Sequence, residues 1–152
     1  MRRPVESKSP QLEIVSRQRT CRFDLSFIAG MGKAAYPACQ ESAFSSSAPL
    51  CRLTLIEATI LSDRKIAAVH HEFFDDPTPT DVITFHHGEI LIGAGVVTEN
   101  ARRFARTPDE EAALCLIHGL LHLAGWDDLT SADAKKMARR QEQIFKLARR
   151  MV

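Results

Sequence analysis

The sequence predicts an α/β (α+β) protein with one domain, in which a small mixed sheet packs against about five helices. The 152 residues suit one domain and are too few for two. The chain is 45% hydrophobic and 26% charged, as in ordinary globular proteins. Short strand-like segments also interleave with longer helical ones. We expect residues 11–152 to form the domain, and the polar residues 1–10 to form a loose N-terminal tail.

Four short segments have the alternation or the β-branched content that is typical of strands. These segments are residues 12–17, 51–58, 81–85 and 89–93. The last two are separated by His86, His87 and Gly88, which predicts two strands that are adjacent in the sheet. The serine-rich residues 41–49 are expected to form a loop.

Apolar residues recur at helical spacing in the remaining segments. The predicted helices cover residues 24–40, 62–74, 98–106, 108–124 and 131–150. Ser62 is a good N-cap for the second of them. Thr107, Pro108 and Glu110 have the order of a capping box with proline at the first helical position. Gly125 is the expected C-terminal stop of that helix, which carries a metal-site pattern near the C-terminus.

Charge and cysteine content exclude several classes of protein. A net charge of +1 excludes a strongly basic protein, so affinity for nucleic acid must come from a local patch. The four cysteines form no Cys-x-x-Cys pair, which fits a reducing cytoplasm and argues against a disulfide framework. No secretory signal and no membrane-spanning run is visible, so we expect a cytoplasmic protein without a membrane partner.

The segment HGLLHLAGWDD contains the strongest chemical signal in the chain. His118 and His122 lie four residues apart, so both imidazoles can face one metal ion from the same side of a helix. Their apolar neighbours predict a buried helix, in which an imidazole needs a hydrogen bond or a metal. Gly125 allows the chain to reverse and bring Asp127 or Asp128 back over the helix end.

These residues predict one Zn²⁺ per chain, bound by His118, His122 and Asp128, with Asp127 as the alternative third ligand. Asp128 follows His122 by six residues, the offset of the third ligand in metzincin-type sites. Three protein ligands leave a fourth position open, which is typical of catalytic zinc. Gly119 occupies the position at which zinc proteases of the His-Glu-x-x-His kind carry their general base.

Three segments resemble the YbeY family of bacterial endoribonucleases. HGLLHLAGWDD is similar to the family signature, and PTDVITF (79–85) and GEILIG (88–93) are similar to two further family segments in the same order and spacing. The resemblance covers roughly residues 50–145. It implies an α/β fold with a small mixed sheet, a zinc ion, and RNA as substrate. The implied role is processing of the 16S rRNA 3′ end and ribosome quality control.

The chain also departs from the family pattern at several positions. Asp128 stands in place of a third histidine ligand, and carboxylate oxygen is itself an acceptable zinc donor. Trp126 replaces a tyrosine and Glu89 an aspartate. Counting back without a gap places Phe74 where the family commonly has an arginine. Asp127 matches the family's aspartate, and we take it as the candidate catalytic residue.

Basic residues near the C-terminus suggest where RNA would bind. They lie about opposite the apolar face of the last predicted helix, or in the helix before Thr107: Lys135, Arg139, Lys146, Arg149, Arg150, Arg102, Arg103 and Arg106. An ordinary solvated helix face is the alternative interpretation of this stripe. Aromatic residues are scarce among these cations, so the stripe does not predict sequence-specific reading of bases.

Thr80 and Asp81 precede a predicted strand, a position that suits structural support first and substrate contact second. The leading functional hypothesis is a zinc-dependent endoribonuclease that acts on 16S rRNA precursors and ribosomal particles. A water or the 2′-hydroxyl of RNA could serve as nucleophile. The alternatives are a non-enzymatic ribosome-assembly factor with a structural metal, and a metallopeptidase, which Gly119 opposes.

Overall fold

The computed structural model describes residues 9–152, and most of the expected tail, residues 1–8, lies outside that range. The described chain forms four strands and six helices. In chain order they are β1 (Gln11–Ser16), α1 (Leu25–Glu41), α2 (Pro49–Arg52), β2 (Leu55–Leu61), α3 (Asp63–Phe74), β3 (Val82–Thr84), β4 (Glu89–Gly93), α4 (Ala94–Arg103), α5 (Pro108–Leu123) and α6 (Ser131–Met151). The predicted α/β class and the single small domain are confirmed.

The four strands form one mixed sheet in the order β1-β2-β4-β3. β1, β2 and β4 run parallel, whereas β3 pairs with β4 in the antiparallel direction. β3 and β4 are joined by the tight turn at Gly88, which has a positive φ of 104°. The sequence correctly predicted that these two strands are neighbours, and the pairing leaves β3 at one edge of the sheet.

Alternating side chains of the strands point into two separate apolar clusters. Ile56, Ile60 and Ile90 are buried in the larger cluster, which fills the space between the sheet, α1 and α5. α6 packs on the outer side of α1 and α5. Ile83 and Leu91 point the other way and pack against α3. α3 and α5 therefore cover opposite faces of the sheet.

The N-terminus of α5 is set by local sequence. The Thr107 hydroxyl accepts a hydrogen bond from the Glu110 N–H, and the Glu110 carboxylate accepts one from the Thr107 N–H, each at 3.1 Å. This reciprocal pair satisfies two of the donors that a helix start leaves free. At the other end, Gly125 has a φ of 102°, which confirms the expected left-handed stop. α5 is buried on almost every side between these two points.

Two elements begin four residues away from the start that the sequence predicts. The expected strand at residues 51–58 begins only at Leu55, because Pro49 starts the short helix α2 that contains Cys51. Proline at the first helical position has a suitable φ and lacks a donor that would be unpaired there. α4 begins at Ala94, directly after β4, and earlier than the predicted residue 98. The short α2 raises the number of described helices to six, compared with about five expected.

No helix among the described residues has both the length and the apolar character that crossing a bilayer requires.

Gly93 is expected to tolerate no side chain, because a Cβ there would lie 2.2 Å from the carbonyl oxygen of Thr80. Gly93→Ala should lower the free energy of unfolding by about 1–3 kcal/mol, since backbone must move to relieve the overlap. Gly30→Ala is the matched control, because its Cβ would meet only methyl groups of Val152, the nearer at 3.7 Å. Urea unfolding should show Gly30→Ala unchanged or up to about 1 kcal/mol more stable. Equal effects of the two substitutions would contradict the steric explanation.

A candidate metal site in the cleft along β3

A cleft of about 490 Å³ runs along the open edge of β3. His70 and Phe74 of α3 line it from one face of the sheet, and His118 and His122 of α5 line it from the other. Because these two helices lie on opposite faces, the cleft must pass around the edge strand that separates them. The remaining lining comes from residues 80–84, His86, Leu123 and residues 125–128.

His118 and His122 present their Nε2 atoms to one another at 2.9 Å. Each ring is oriented through its other nitrogen. His118 Nδ1 lies 2.7 Å from Gln141 Oε1, and His122 Nδ1 lies 2.9 Å from the backbone oxygen of Trp126. Both partners are acceptors, so each Nδ1 carries the hydrogen and donates it. The two Nε2 lone pairs are therefore left free, as metal ligation requires.

The turn after α5 brings Asp128 to this pair of imidazoles. The Trp126 N–H donates to the Leu121 oxygen at 3.0 Å, which closes the turn around Gly125. Asp128 Oδ2 then lies 3.7 Å from His118 Nε2, and Asp128 Oδ1 lies 3.8 Å from His122 Nε2. Asp128 was the expected third ligand, and the geometry agrees with that choice.

Asp127, the alternative third ligand, is directed elsewhere. Its Oδ1 accepts a hydrogen bond from the Leu129 N–H at 3.2 Å, although the residue still lines the cleft. A carboxylate used to stabilise the turn is less available to a metal than the neighbouring Asp128. The predicted catalytic role of Asp127 stays a prediction.

His118, His122 and Asp128 together could bind a metal ion, since one ligand atom of each lies within 4.8 Å of the others. Tetrahedral zinc with bonds of about 2.0–2.1 Å to nitrogen needs the two nitrogens about 3.3 Å apart, so the imidazoles would separate only slightly. Burial, and secondarily the neighbouring His118, lower the pKa of His122. His122 is therefore neutral at pH 7, in the protonation state that a metal ligand needs.

Gly119 turns away from the cleft and packs against the sheet. A Cβ at this position would lie 2.8 Å from Ile90 Cδ1 and 3.0 Å from Thr84 Oγ1. A glutamate here would place its carboxylate among apolar groups and could not act as a general base in the cleft. Gly119 allows α5 to approach β3 and β4 closely enough to place His118 beside the edge strand.

Thr80 and Asp81, predicted to have a supporting role, form hydrogen bonds at the start of β3. Asp81 Oδ1 accepts hydrogen bonds from the Val82 N–H at 2.8 Å and from the Thr80 hydroxyl at 3.4 Å. The Asp81 backbone oxygen accepts one from the Gly93 N–H at 2.8 Å. The last of these bonds holds the start of β3 against β4, and the first two fix the local conformation of the residues before the strand. Both Thr80 and Asp81 line the cleft.

Gln141, whose side chain reaches His118 from α6, was not predicted from the sequence. The sequence contains only a weak indication that this residue has a role. Gln141 lies at helical spacing with the buried residues Met137, Ile144 and Ala148, so it was a polar residue on an apolar face. His70 and His86 also line the cleft, although the sequence predicted no role for them there.

The structure divides the predicted RNA-contacting residues into two groups. Arg106 is half-buried and forms ion pairs with Glu111 and Glu142, so its charge is already balanced within the protein. Arg149 lies 3.9 Å from Glu110 and over the ring of Phe27. Arg102 lies 3.5 Å from Glu99 on the surface of α4. The others are exposed on α4 and α6: Arg103, Lys135, Arg139, Lys146 and Arg150.

Comparison with known proteins identifies the family. The family model described as endoribonuclease YbeY matches residues 33–149. The chain belongs to this family. An endoribonuclease YbeY of Thermosipho melanesiensis is 36% identical over 97 residues, which cover 59% of this chain and 70% of that relative. One from Thermotoga maritima is 34% identical over 95 residues, covering 58% of this chain and 63% of the relative.

A solved structure supports the same fold for this YbeY family member. The solution structure of a Thermotoga maritima protein superposes with a TM-score of 0.62 at 23% sequence identity. The match covers 91% of this chain and 89% of that protein. At this identity the likeness concerns the fold alone, and it agrees with the mixed sheet described above.

Asp128→Ala is expected to weaken Zn²⁺ binding by more than the roughly 10–100-fold that loss of an outer-shell partner costs. Asp128→His should retain binding, because an imidazole at this position can replace the carboxylate. Asp127→Ala is the matched control and should bind Zn²⁺ with nearly unchanged affinity. Competitive titration against a chromogenic chelator measures all three. Loss of zinc from Asp127→Ala alone would assign the third ligand to Asp127.

Gln141→Leu is expected to lower Zn²⁺ affinity by about 10–100-fold, because His118 loses the acceptor that fixes its tautomer and orientation. Gln141→Glu should retain or raise the affinity, since a carboxylate is a stronger acceptor at the same place. Gln143→Leu, on an exposed position of the same helix, is the control. The hypothesis fails if Gln141→Leu and Gln143→Leu bind Zn²⁺ equally well in the same chelator titration.

Proposed function

We propose that this YbeY family member is a zinc-dependent endoribonuclease that acts in 16S rRNA 3′-end maturation and ribosome quality control in the cytoplasm. The convergence of His118 Nε2, His122 Nε2 and the Asp128 carboxylate in one cleft is the observation that carries the proposal. The proposed substrates are 16S rRNA precursors and ribosomal particles. Relatives named endoribonuclease YbeY support the choice of RNA as the substrate.

Zinc is the proposed ion because two imidazoles and one carboxylate form a donor set that it commonly accepts. When bound, zinc supplies a Lewis acid that can polarise a phosphoryl oxygen or activate a water. Residues of the chain would orient the metal ligands and shape the cleft around them. Gln141 and the Trp126 carbonyl fix the imidazole rings, and Thr80 and Asp81 hold the cleft wall.

The exposed cations of α4 and α6 are proposed to contact phosphates outside the cleft. Arg102 and Arg103 lie near the end of α4, and Lys135, Arg139, Lys146 and Arg150 lie on α6. Arg102, Arg106 and Arg149 are weaker candidates, because each already interacts with a carboxylate. Contacts of this kind bind RNA without regard to sequence and weaken as salt increases.

The packing of Gly119 disfavours the metallopeptidase alternative. The position that carries the general base in His-Glu-x-x-His proteases faces Ile90 and Thr84 in the interior. RNA differs from a peptide in this respect, because its own 2′-hydroxyl can act as nucleophile. That property reduces the need for a glutamate base within the cleft.

The test is cleavage of a single-stranded RNA that carries the 16S rRNA 3′ precursor sequence. Purified protein should cleave it, a chelator should abolish cleavage, and added Zn²⁺ should restore it. His118→Ala should reduce the rate at least about 100-fold. His87→Ala is the matched control, since this exposed histidine lies outside the residues that line the cleft.

Two results would contradict the proposal. Cleavage that resists the chelator, or that survives in His118→Ala, would exclude the metal-dependent mechanism. RNA binding without cleavage by any form of the protein would favour the assembly-factor alternative. Replacing the ribose at the cleaved bond by 2′-deoxyribose tells the two nucleophiles apart, because cleavage by a water does not need the 2′-hydroxyl.

A further inference from the structure

The cleft extends beyond the candidate metal ligands, along the free edge of β3. His118 and His122 occupy the α5 side, and Phe74 and His70 occupy the α3 side. The backbone of β3 lies between them and also lines the cleft. A ligand that reaches from the metal ligands to Phe74 must therefore cross this strand edge.

The pairing of β3 with β4 determines which backbone groups face the cleft. The Phe85 N–H donates to the Glu89 oxygen at 2.8 Å, and the Gly93 N–H donates to the Asp81 oxygen at 2.8 Å. Hydrogen-bonded pairs alternate in an antiparallel ladder, so odd-numbered residues of this segment face β4. The N–H and C=O groups of Val82 and Thr84 consequently face the open edge.

One of these backbone groups at the edge already has a hydrogen-bond partner. The Val82 N–H donates to Asp81 Oδ1 at 2.8 Å. Within the described residues, the Val82 C=O, the Thr84 N–H and the Thr84 C=O have no hydrogen-bond partner in the protein. The Val82 acceptor and the Thr84 donor point in the same direction from neighbouring positions on the edge. A flat heterocycle with a donor next to an acceptor complements this pair.

Phe74 adds an aromatic face at the same end of the cleft. Its side chain is 57% exposed although it lines the cleft, and the ring of His70 lies 5.8 Å away between centroids. The exposed ring of Phe74 is therefore accessible to a ligand in the cleft. Aromatic side chains of this kind stack on nucleobases without preference for sequence.

The charges at this end favour a base over a phosphate. Asp75 and Asp76 follow Phe74 directly, and hydrogen bonds from Thr78 lower the pKa of Asp76. The Asp76 carboxylate is therefore ionised at neutral pH and repels a phosphate group. A neutral base meets no such repulsion.

We propose that the β3 edge and Phe74 form a nucleobase subsite for single-stranded RNA. A base of the substrate hydrogen-bonds to the Val82 C=O and the Thr84 N–H and stacks on the Phe74 ring, while the sugar-phosphate chain continues towards His118 and His122. This inference rests on the proposed function, because it assigns a place to one nucleotide of the same RNA substrate. All four bases have a donor beside an acceptor, so the subsite requires a base without selecting its identity.

An extended peptide is the competing occupant of a free strand edge. β3 is only three residues long, and Asp81 already occupies the first of its outward N–H groups. Two or three main-chain groups suit a single base better than a pairing strand, which needs a longer edge. The base is therefore the better match.

The experiment compares two six-nucleotide single-stranded RNAs, one of oligoadenylate and one in which the central nucleotides lack bases. The single tryptophan, Trp126, lines the cleft, so its fluorescence reports occupancy. Titrations of the zinc-loaded protein are done on ice in about 0.3 M salt, where phosphate contacts are weakened. We expect the oligoadenylate to bind at least about fivefold more tightly than the abasic RNA. Gel analysis checks that the oligomers remain intact.

Phe74→Ala should abolish most of this preference, and Phe74→Tyr should retain it. Phe73→Ala is the matched control, because Phe73 is equally exposed at 58% but packs on Phe85 outside the residues that line the cleft. Phe74→Leu keeps apolar volume without a flat ring and should behave like Phe74→Ala. Thermal unfolding of each variant confirms that it is folded.

An unchanged preference in Phe74→Ala, or an equal loss in Phe73→Ala, would overturn the subsite. Tight binding of an extended peptide that depends on Phe74, with no preference for bases over abasic RNA, would assign the edge to peptides instead. Failure of the subsite is distinguishable from failure of the proposed function. If only the subsite is wrong, the Phe74 variants bind RNA like the original protein, and chelator-sensitive cleavage that requires His118 persists.

Discussion

The close contact between α5 and the sheet at Gly119 is the constraint on which the rest of the site depends. A side chain here would overlap Ile90 and Thr84, so glycine sets how closely helix and strands approach. Since residues on a helix are about 100° apart, fixing Gly119 towards the sheet places His118 and His122 on the flank beside the β3 edge. The same contact makes one wall of the cleft from a helix and the other from an edge strand.

Burying α5 between the sheet, α1 and α6 creates a second requirement, because two imidazoles emerge from an otherwise apolar helix. Each Nδ1 must find an acceptor, and the chain supplies one from α6 and one from the turn after α5. α6 therefore does more than cover the core. Arg140, the neighbour of Gln141, donates to Ser42 at the end of α1, which ties the same stretch of α6 to another helix. Rigid support of this kind is what keeps ligand atoms near binding geometry.

Local patterns were enough to predict the parts of the site that depend on nearby residues. The capping box at Thr107, the left-handed turn at Gly125 and the spacing of His122 and Asp128 are all encoded within a few residues, and each agrees with the structure. Gln141 was missed because it is 23 residues from His118, and helix packing alone brings the two together.

The cleft itself could not be predicted from the sequence either. It exists because β3 pairs with β4 in the antiparallel direction and forms the edge of the sheet. Strand order of this kind cannot be inferred from a local sequence pattern. The scarcity of aromatic residues along α6 argued against sequence-specific reading of bases. Phe74, which lines the cleft, is on α3, more than fifty residues earlier in the chain. A surface assembled from distant segments cannot be recognised by scanning one helix.

The charge of the cleft predicts that binding of a cation and binding of an RNA substrate would depend on each other. Asp81, Asp127 and Asp128 line it, and no lysine or arginine is among its described lining residues. A phosphate brought next to Asp128 would meet repulsion of about 4 kcal/mol at 4 Å with an effective dielectric constant of 20. A divalent cation held by Asp128 and the two imidazoles reverses the sign of that interaction. The exposed cations of α4 and α6 can attract RNA to the surface, but the scissile phosphate can enter this acidic cleft favourably only once the metal is bound. Binding of the metal and binding of RNA would then be positively linked, since each would bind more tightly when the other is present.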